Sequence, residues 1–160
     1  MEVEKLMTRG VRTCGPEDAM SRAAQIMWEN DCGVVPIVDG AGKPVAMVTD
    51  RDIAMAAYTQ GKTLTDMPVS VACSHGVVKV HEHDSLEVAE AVMQEHQIRR
   101  VPVVDAQDRL VGVLSMNDLA RSFQITEGAA VTHREVAKTL AAISQPHRDS
   151  GLAAQTARHA

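Results

Sequence analysis

The chain has 160 residues and a formal net charge of −5, and 45% of its residues are hydrophobic. This length suits one compact domain or two tightly packed half-domains with a real core. Aromatic residues make up only 2%, so the core must be aliphatic. The acidic charge and the few stacking rings argue against nucleic-acid binding. No apolar run approaches the roughly 20 residues that span a bilayer, and the charged start predicts no secretory signal and a cytoplasmic location.

The sequence matches itself when one copy is shifted so that Val3 falls on Val69. Over residues 3–54, 14 of 52 positions are then identical without a gap, including the Val-Pro pairs at 35–36 and 101–102. Internal repeats of this length indicate a duplicated structural unit. We therefore divide the chain into a first repeat (3–58), a linker (59–68), a second repeat (69–123) and a C-terminal helix with a loose tail (124–160).

Each repeat predicts a strand, a helix, a hairpin and a second helix. In the first repeat the strand lies near 11–14, and Asp18 is a plausible N-cap for a helix with an apolar face. Residues 34–38 and 45–48 form the two hairpin strands, and the next helix starts near Asp52. The second repeat has the same order, with a strand near 77–81 and a capping-box pattern at Asp84 and Glu87. Its hairpin covers 101–114, and its last helix starts near Asp118.

A unit of this size cannot cover both faces of its sheet, so two copies are expected to pack together. We predict an α/β (α+β) fold with two small sheets, each flanked by helices and related by a pseudo-two-fold axis, with a cleft on either side. Residues 132–135 predict a further helix start, and Pro146 ends that helix. Its apolar stripe of Val136, Leu140 and Ile143 either covers the module or joins two chains, and covering is favoured.

The junction from hairpin to helix carries the same polar pattern in both repeats. Thr49 and Asp52 lie three residues apart in the first copy, as do Ser115 and Asp118 in the second. A carboxylate at this place can accept the hydroxyl protons of a ribose diol, while a helix N-terminus and Arg51 suit a phosphate group. The same spacing is also that of a helix-capping box. The residues alone leave both interpretations open.

Four segments carry a resemblance to a known family: 32–39 with 46–53, and 98–105 with 112–119. They resemble cystathionine β-synthase (CBS) domains, and the pair resembles a Bateman module, similar to small stand-alone bacterial signalling proteins. The resemblance covers about three quarters of the chain. It implies a regulatory module that binds an adenosine-containing ligand (AMP, ADP, ATP, NAD or S-adenosylmethionine) in the clefts between the repeats. It also implies a homodimer, an unknown effector protein, no enzymatic activity and no required cofactor.

The resemblance also implies the residues that contact the ligand. Each cleft is expected to combine the ribose motif of one repeat with the early strand of the other. The predicted nucleotide-binding set is Thr8, Val11, Val34, Val35, Thr49, Arg51, Asp52, Ser74, Val77, Arg100, Val101, Ser115, Asn117 and Asp118. One departure from the family pattern is Ala46, which stands where the family has the glycine found at Gly112.

Two other interpretations stay open. Cys73, His75, His81 and His83 are close in sequence and could ligate zinc, although their spacing fits no compact finger pattern. The module could instead be a structural dimer whose clefts are vestigial. Phosphate-loop, dinucleotide-fingerprint and zinc-protease motifs are absent from the sequence, and the three cysteines are predicted to be reduced thiols.

Overall fold

The computed structural model describes residues 1–73, 76–122 and 133–145. The first repeat contains the short strand β1 (Thr8–Arg9), helix α1 (Met20–Glu29), the hairpin strands β2 (Val34–Val38) and β3 (Pro44–Thr49), and helix α2 (Asp50–Gln60). The second contains β4 (Val80–His81), α3 (Leu86–His96), β5 (Arg100–Val104), β6 (Leu110–Ser115) and α4 (Met116–Ser122), and helix α5 (His133–Ile143) follows. The predicted mixed fold of two small sheets with flanking helices is confirmed.

The two sheets are built on equivalent hairpins. Strands β2 and β3 pair antiparallel, with Val34 opposite Thr49, and β5 and β6 pair antiparallel, with Arg100 opposite Ser115. The second hairpin is extended on both sides into the order β1-β6-β5-β4. The predicted strand near 11–14 is reduced to a single parallel bridge from Cys14 to Ile37, whereas its counterpart in the second repeat is the short strand β4 beside β5.

The residues at the start of each repeat (3–7 and 67–69, its leading segment) pack on the other repeat. Val3 and Met7 lie in the core of the second repeat, while Met67 and Val69 lie in the core of the first. The backbone contacts match: the Val3 N–H donates to the Asp84 carbonyl, and the Val69 N–H donates to the Asp18 carbonyl, both at 2.9 Å. Each core is therefore complete only when both repeats are present.

The helix caps differ from the sequence prediction by one residue. Asp18 is not the N-cap of α1, because that position belongs to Ala19, and Asp18 instead accepts a hydrogen bond from the Gly15 N–H at 2.8 Å. Asp84 likewise accepts from the His81 N–H, and Ser85 caps α3 by accepting from the Val88 N–H. Both aspartates tighten the turn before the helix, so the two copies share this role.

Helix α5 covers the second repeat, as predicted. Ile143 is buried in the second core and Val136 packs against it, whereas Leu140 is 47% exposed. Thr139 takes the buried place and accepts a hydrogen bond from the Gln94 amide of α3 at 2.7 Å. The predicted capping residue Thr132 and the predicted stop at Pro146 lie outside the described residues. Among the helices that the structure describes, none is long and apolar enough to cross a membrane.

Candidate functional site

The hydroxyl and carboxylate of the repeated junction form a capping box in both copies. The Asp52 Oδ2 atom accepts from the backbone N–H (2.8 Å) and the hydroxyl (2.7 Å) of Thr49, and the Asp52 N–H donates back to that hydroxyl at 3.2 Å. Asp118 and Ser115 repeat this arrangement at 2.9, 2.5 and 3.2 Å. The capping interpretation is therefore correct, but it occupies Oδ2 of each carboxylate and leaves Oδ1 for other partners.

A cleft of about 630 Å³ opens at Asp118, between the two repeats. This volume lies in the range of small-molecule pockets, roughly 300–1,000 Å³. The cleft is lined by half of the predicted nucleotide-binding set, namely Thr8, Val11, Val34, Arg100, Ser115, Asn117 and Asp118. It thus joins the early segment of the first repeat to the ribose motif of the second, which is the combination that the resemblance implies.

Strand pairing explains why these residues meet. Thr8 lies opposite Val113 because β1 adds to the outer edge of the second sheet beside β6. Strand β6 ends at Ser115, and Asp118 follows in the first turn of α4. Val34 enters from the first hairpin, and Arg100 begins β5. The exchange of leading segments between the repeats therefore builds the cleft wall.

The cleft is basic although the chain as a whole is acidic. Four arginines line it (Arg9, Arg12, Arg100 and Arg121), against the two carboxylates of Asp31 and Asp118. Arg9 pairs with Glu4 at 3.1 Å, and Arg121 pairs with Asp118 at 2.6 Å. Within the described residues, no ion pair shorter than 4.0 Å involves Arg12 or Arg100. Such a surplus of positive charge favours an anionic ligand.

Arg100 reaches from the second repeat to the first. A neighbouring hollow of about 580 Å³ beside Trp28 shares Asp31, Cys32, Gly33 and Arg100 with the cleft. A Cβ atom added at Gly33 would lie 3.6 Å from Nη2 of Arg100 and 3.1 Å from Oδ2 of Asp50. A side chain at Gly33 would therefore crowd the Asp50 carboxylate and lie in van der Waals contact with the Arg100 guanidinium.

The other described members of the predicted nucleotide-binding set do not line this cleft. Val35 and Val101 are fully buried in the two cores, so only their backbone groups could face a ligand. Thr49 and Asp52 are joined in the capping box at the start of α2, and Arg51 beside them is exposed. Val77 is half-buried, and Ser74 lies outside the described residues.

The structure explains why the second repeat has a glycine, Gly112, in strand β6. A Cβ atom at Gly112 would lie 2.7 Å from the Thr8 carbonyl oxygen and 2.8 Å from Sδ of Met7, because β1 pairs with β6 at that point. Ala46, its counterpart, is 5% exposed in the core of the first repeat. Among the described residues, a methyl group is therefore accommodated in the first copy and excluded in the second.

The described members of the predicted zinc cluster are not brought together. Cys73 packs against the first core and its thiol donates to the Val69 carbonyl at 2.9 Å, and burial, helped by the charge of Asp52, raises the pKa of this thiol. His81 and His83 are exposed in the second repeat, and His75 lies outside the described residues. Burial also raises the pKa of Cys14, so both thiols stay protonated at neutral pH.

Three of the cleft arginines, Arg9, Arg12 and Arg121, are not in the set predicted from the sequence. Arg9 and Arg12 flank the predicted Thr8 and Val11, and alternation along an extended segment gave no reason to choose them. Arg121 follows Asp118 by three residues, a spacing that places two side chains on one face of a helix. That spacing was available in the sequence as a signal for the ion pair.

Comparison with known proteins identifies the family of the two repeats. The family model described as CBS domain matches residues 3–58 and again 69–124. The CBS domain-containing protein YhcV of Bacillus subtilis is 38% identical over 133 residues, which cover 82% of this chain and 93% of YhcV. Hypoxic response protein 1 of Mycobacterium tuberculosis is 34% identical over 116 residues, covering 72% and 80% of the two chains.

Two solved structures are similar in fold. Hypoxic Response Protein I with two coordinated zinc ions has a TM-score of 0.69 at 32% identity, over 76% of this chain and 98% of that one. The CBS domain pair of protein MJ0100 in complex with 5′-methylthioadenosine and S-adenosyl-L-methionine has a TM-score of 0.69 at 28% identity, over 78% and 96%. The two family matches, the duplicated hairpins and these relatives show that the chain belongs to the CBS domain family, as a tandem pair.

Proposed function

We propose that this chain is a regulatory module that binds an adenosine nucleotide between its two CBS repeats. The carrying observation is the cleft itself, where Thr8, Val11 and Val34 of the first repeat face Ser115 and Asp118 of the second. A ligand that fills it contacts both repeats at once. Binding would therefore stiffen their relative position and change the surface shown to an effector protein.

The lining residues suit the three parts of an adenosine nucleotide. The apolar side chains of Ile26, Val34 and Val113 offer a surface for the base. The Asp118 carboxylate suits the ribose hydroxyls, since an ionised carboxylate only accepts hydrogen bonds. Arg12 and Arg100 offer charge-assisted hydrogen bonds to phosphate. A second ligand site at Thr49 and Asp52 is part of the proposal.

AMP, ADP, ATP, NAD and S-adenosylmethionine remain the candidate ligands. The complex of the MJ0100 pair with 5′-methylthioadenosine and S-adenosyl-L-methionine supports the adenosyl group as the shared element. The excess of arginines over carboxylates in the cleft favours the candidates that carry phosphate. We propose no catalytic step and no required cofactor for this module.

The proposal extends to a homodimer. Trp28 on α1 is 89% exposed and Tyr58 on α2 is 83% exposed, and large exposed aromatic side chains are typical of protein interfaces. Light scattering after size exclusion should give twice the chain mass, and Trp28→Lys should reduce it. A wild-type mass of one chain at all concentrations would rule out this part.

A thermal-shift screen tests the binding proposal. At 100 times its dissociation constant a ligand adds about 2.7 kcal/mol, which raises the melting temperature by several degrees in a chain of this size. We expect a shift with at least one adenosine nucleotide and a smaller one in Asp118→Asn, in which only the proposed site at Asp52 remains. Each shift is measured against the melting temperature of the same variant without ligand, because Asp118 also caps α4.

Asp66→Asn is the matched control. Asp66 accepts from the Thr63 hydroxyl at 2.8 Å in the same Thr-x-x-Asp spacing, but it is exposed in the turn after α2 and does not line the cleft. Its ligand shift should equal that of the wild type. If no nucleotide shifts the wild type, the module is structural and its clefts are vestigial. If Asp118→Asn shifts as much as the wild type does, the ligand does not bind at Asp118 and the proposed site is wrong.

A metal site is the second candidate function. Ligand atoms of Glu2, Glu4 and His83 lie within 4.8 Å of one another, and a related structure with 32% identity holds two zinc ions. Metal analysis of the purified protein tests this reading. Stoichiometric zinc that Glu4→Gln abolishes would support it, and metal-free protein with unchanged stability in EDTA would end it.

A further inference from the structure

The Asp118 carboxylate is almost fully engaged before any ligand binds. Its Oδ2 atom accepts two hydrogen bonds from Ser115, and its Oδ1 atom accepts a third from Nη2 of Arg121 at 2.6 Å. A carboxylate has about four acceptor sites, so one remains. A ribose diol that donates both of its protons to Oδ1 needs two. Full engagement of the diol therefore requires Arg121 to leave.

The first repeat has no equivalent of this contact. Asp52 makes the same capping bonds through Oδ2, but the position that corresponds to Arg121 is Met55. Within the described residues, Oδ1 of Asp52 makes no hydrogen bond. The ion pair is thus a property of the second copy and is not needed to form the capping box.

Arg121 can leave Asp118 at small cost. The Arg121 side chain is 68% exposed, whereas that of Asp118 is 9% exposed. Ion pairs with one solvated arm are weak because water competes for the charge. The Arg121 guanidinium also lines the cleft together with Arg9, Arg12 and Arg100. An anion that enters the cleft therefore meets Arg121 as one of four positively charged side chains.

We propose that Arg121 is a two-position selectivity residue, which holds Asp118 in the empty cleft and turns to a ligand phosphate when ribose takes its place. This inference rests on the proposed function, and it names phosphorylated adenosine ligands as the class that the cleft selects. A ligand with phosphate replaces the bond that Arg121 gives up. A ligand without phosphate, such as 5′-methylthioadenosine, must displace Arg121 and offers no anion in return.

Calorimetric titration with AMP and with 5′-methylthioadenosine tests the inference. All proteins carry Asp52→Asn, so that only the Asp118 cleft is titrated. Arg121→Met, which copies the first repeat, should weaken AMP binding about tenfold or more, the loss of one charge-assisted hydrogen bond. It should leave 5′-methylthioadenosine binding unchanged or tighter, because its competitor for Asp118 is gone. Arg121→Lys keeps the charge and should retain part of the AMP preference.

Arg109→Met is the matched control, since Arg109 forms an ion pair with Asp105 at 2.9 Å in the hairpin turn and does not line the cleft. It should change neither affinity. An Arg121→Met protein that loses affinity for both ligands equally, or for neither, overturns the two-position role while nucleotide binding stands. If the parent protein binds neither AMP nor 5′-methylthioadenosine, this inference is overturned, whereas the proposed function is decided separately by the thermal-shift screen against all the candidate ligands.

Discussion

The contact between β1 and Gly112 supports a stability prediction whose size follows from two distances. In Gly112→Ala the new methyl group would lie 2.7 Å from the Thr8 carbonyl oxygen and 2.8 Å from Sδ of Met7. Favourable nonbonded contacts begin near 3.5 Å, so the strand must retreat by roughly 0.5–1 Å. The Met7 side chain can rotate away, but the carbonyl belongs to the backbone of β1 and cannot move alone.

The expected cost exceeds the expected gain. Overpacking of this kind costs about 1–3 kcal/mol, whereas replacing glycine by alanine stabilises by about 0.4–1 kcal/mol through the unfolded chain. A net loss of about 1–2 kcal/mol lowers the melting temperature by roughly 2–8 °C in a chain of this size. Because Thr8 and Arg9 also line the cleft, ligand affinity should fall with stability.

Circular dichroism melting of Gly112→Ala beside Gly40→Ala measures the difference. Gly40 lies in the hairpin turn of the first repeat, where an added Cβ meets no atom within 4 Å, so its substitution should be neutral or slightly stabilising. If Gly112→Ala melts at or above the temperature of Gly40→Ala, β1 does not hold the close position described, and the account of the cleft wall is wrong.

Two further predictions concern the contact between α3 and α5. Glu90→Gln should raise the free energy of unfolding at neutral pH by about 1–3 kcal/mol. The reason is that Glu90 is buried and its Oε1 atom has no hydrogen-bond partner within the described residues. Burial, together with the nearby Glu135 and Glu87, raises the pKa of Glu90 above 4.5. The wild type loses stability as pH rises from that value through the raised pKa. Urea unfolding from pH 4 to 8 should therefore show that the extra stability of Glu90→Gln over the wild type becomes smaller towards acid pH. A stability difference that stays constant over this range would contradict the prediction. Ile143→Ala should lower the free energy of unfolding by about 2–4 kcal/mol in the same assay. Leu140→Ala, at an exposed site on the same helix, should lower it by less than about 0.5 kcal/mol. Equal losses of stability would mean that α5 does not cover the core.

The duplicated pattern made the fold predictable, because identical spacing in two copies fixes the same elements twice. Local details were harder to place. At Asp18 and Asp84 the capping rule chose a residue one position too early, since an aspartate in the preceding turn satisfies a backbone N–H as well as an N-cap does. On α5 the apolar stripe placed Leu140 inside, whereas Thr139 occupies the buried position because it can pair with Gln94.

Half of the predicted ligand set meets in the cleft, and the reason lies in what each residue depends on. Ser115 and Asp118 are held by local geometry, which spacing along the chain reveals. Arg9 and Arg12 enter the cleft only because the first segment crosses to the other repeat, and periodicity carries no information about such a crossing. Their place follows from tertiary structure alone.

The exchange of leading segments also decides what a ligand can do to this module. Val3 and Met7 complete the second core, and the strand that follows them carries Thr8 into the cleft opposite Asp118. The proposed ligand between Thr8 and Asp118 would therefore act on the segment that completes the second core, and its binding free energy would reach the packing without a separate hinge. Because Met67 and Val69 complete the first core in the same way, a ligand that moved either leading segment would change the packing of both repeats, as the proposed sensing role requires.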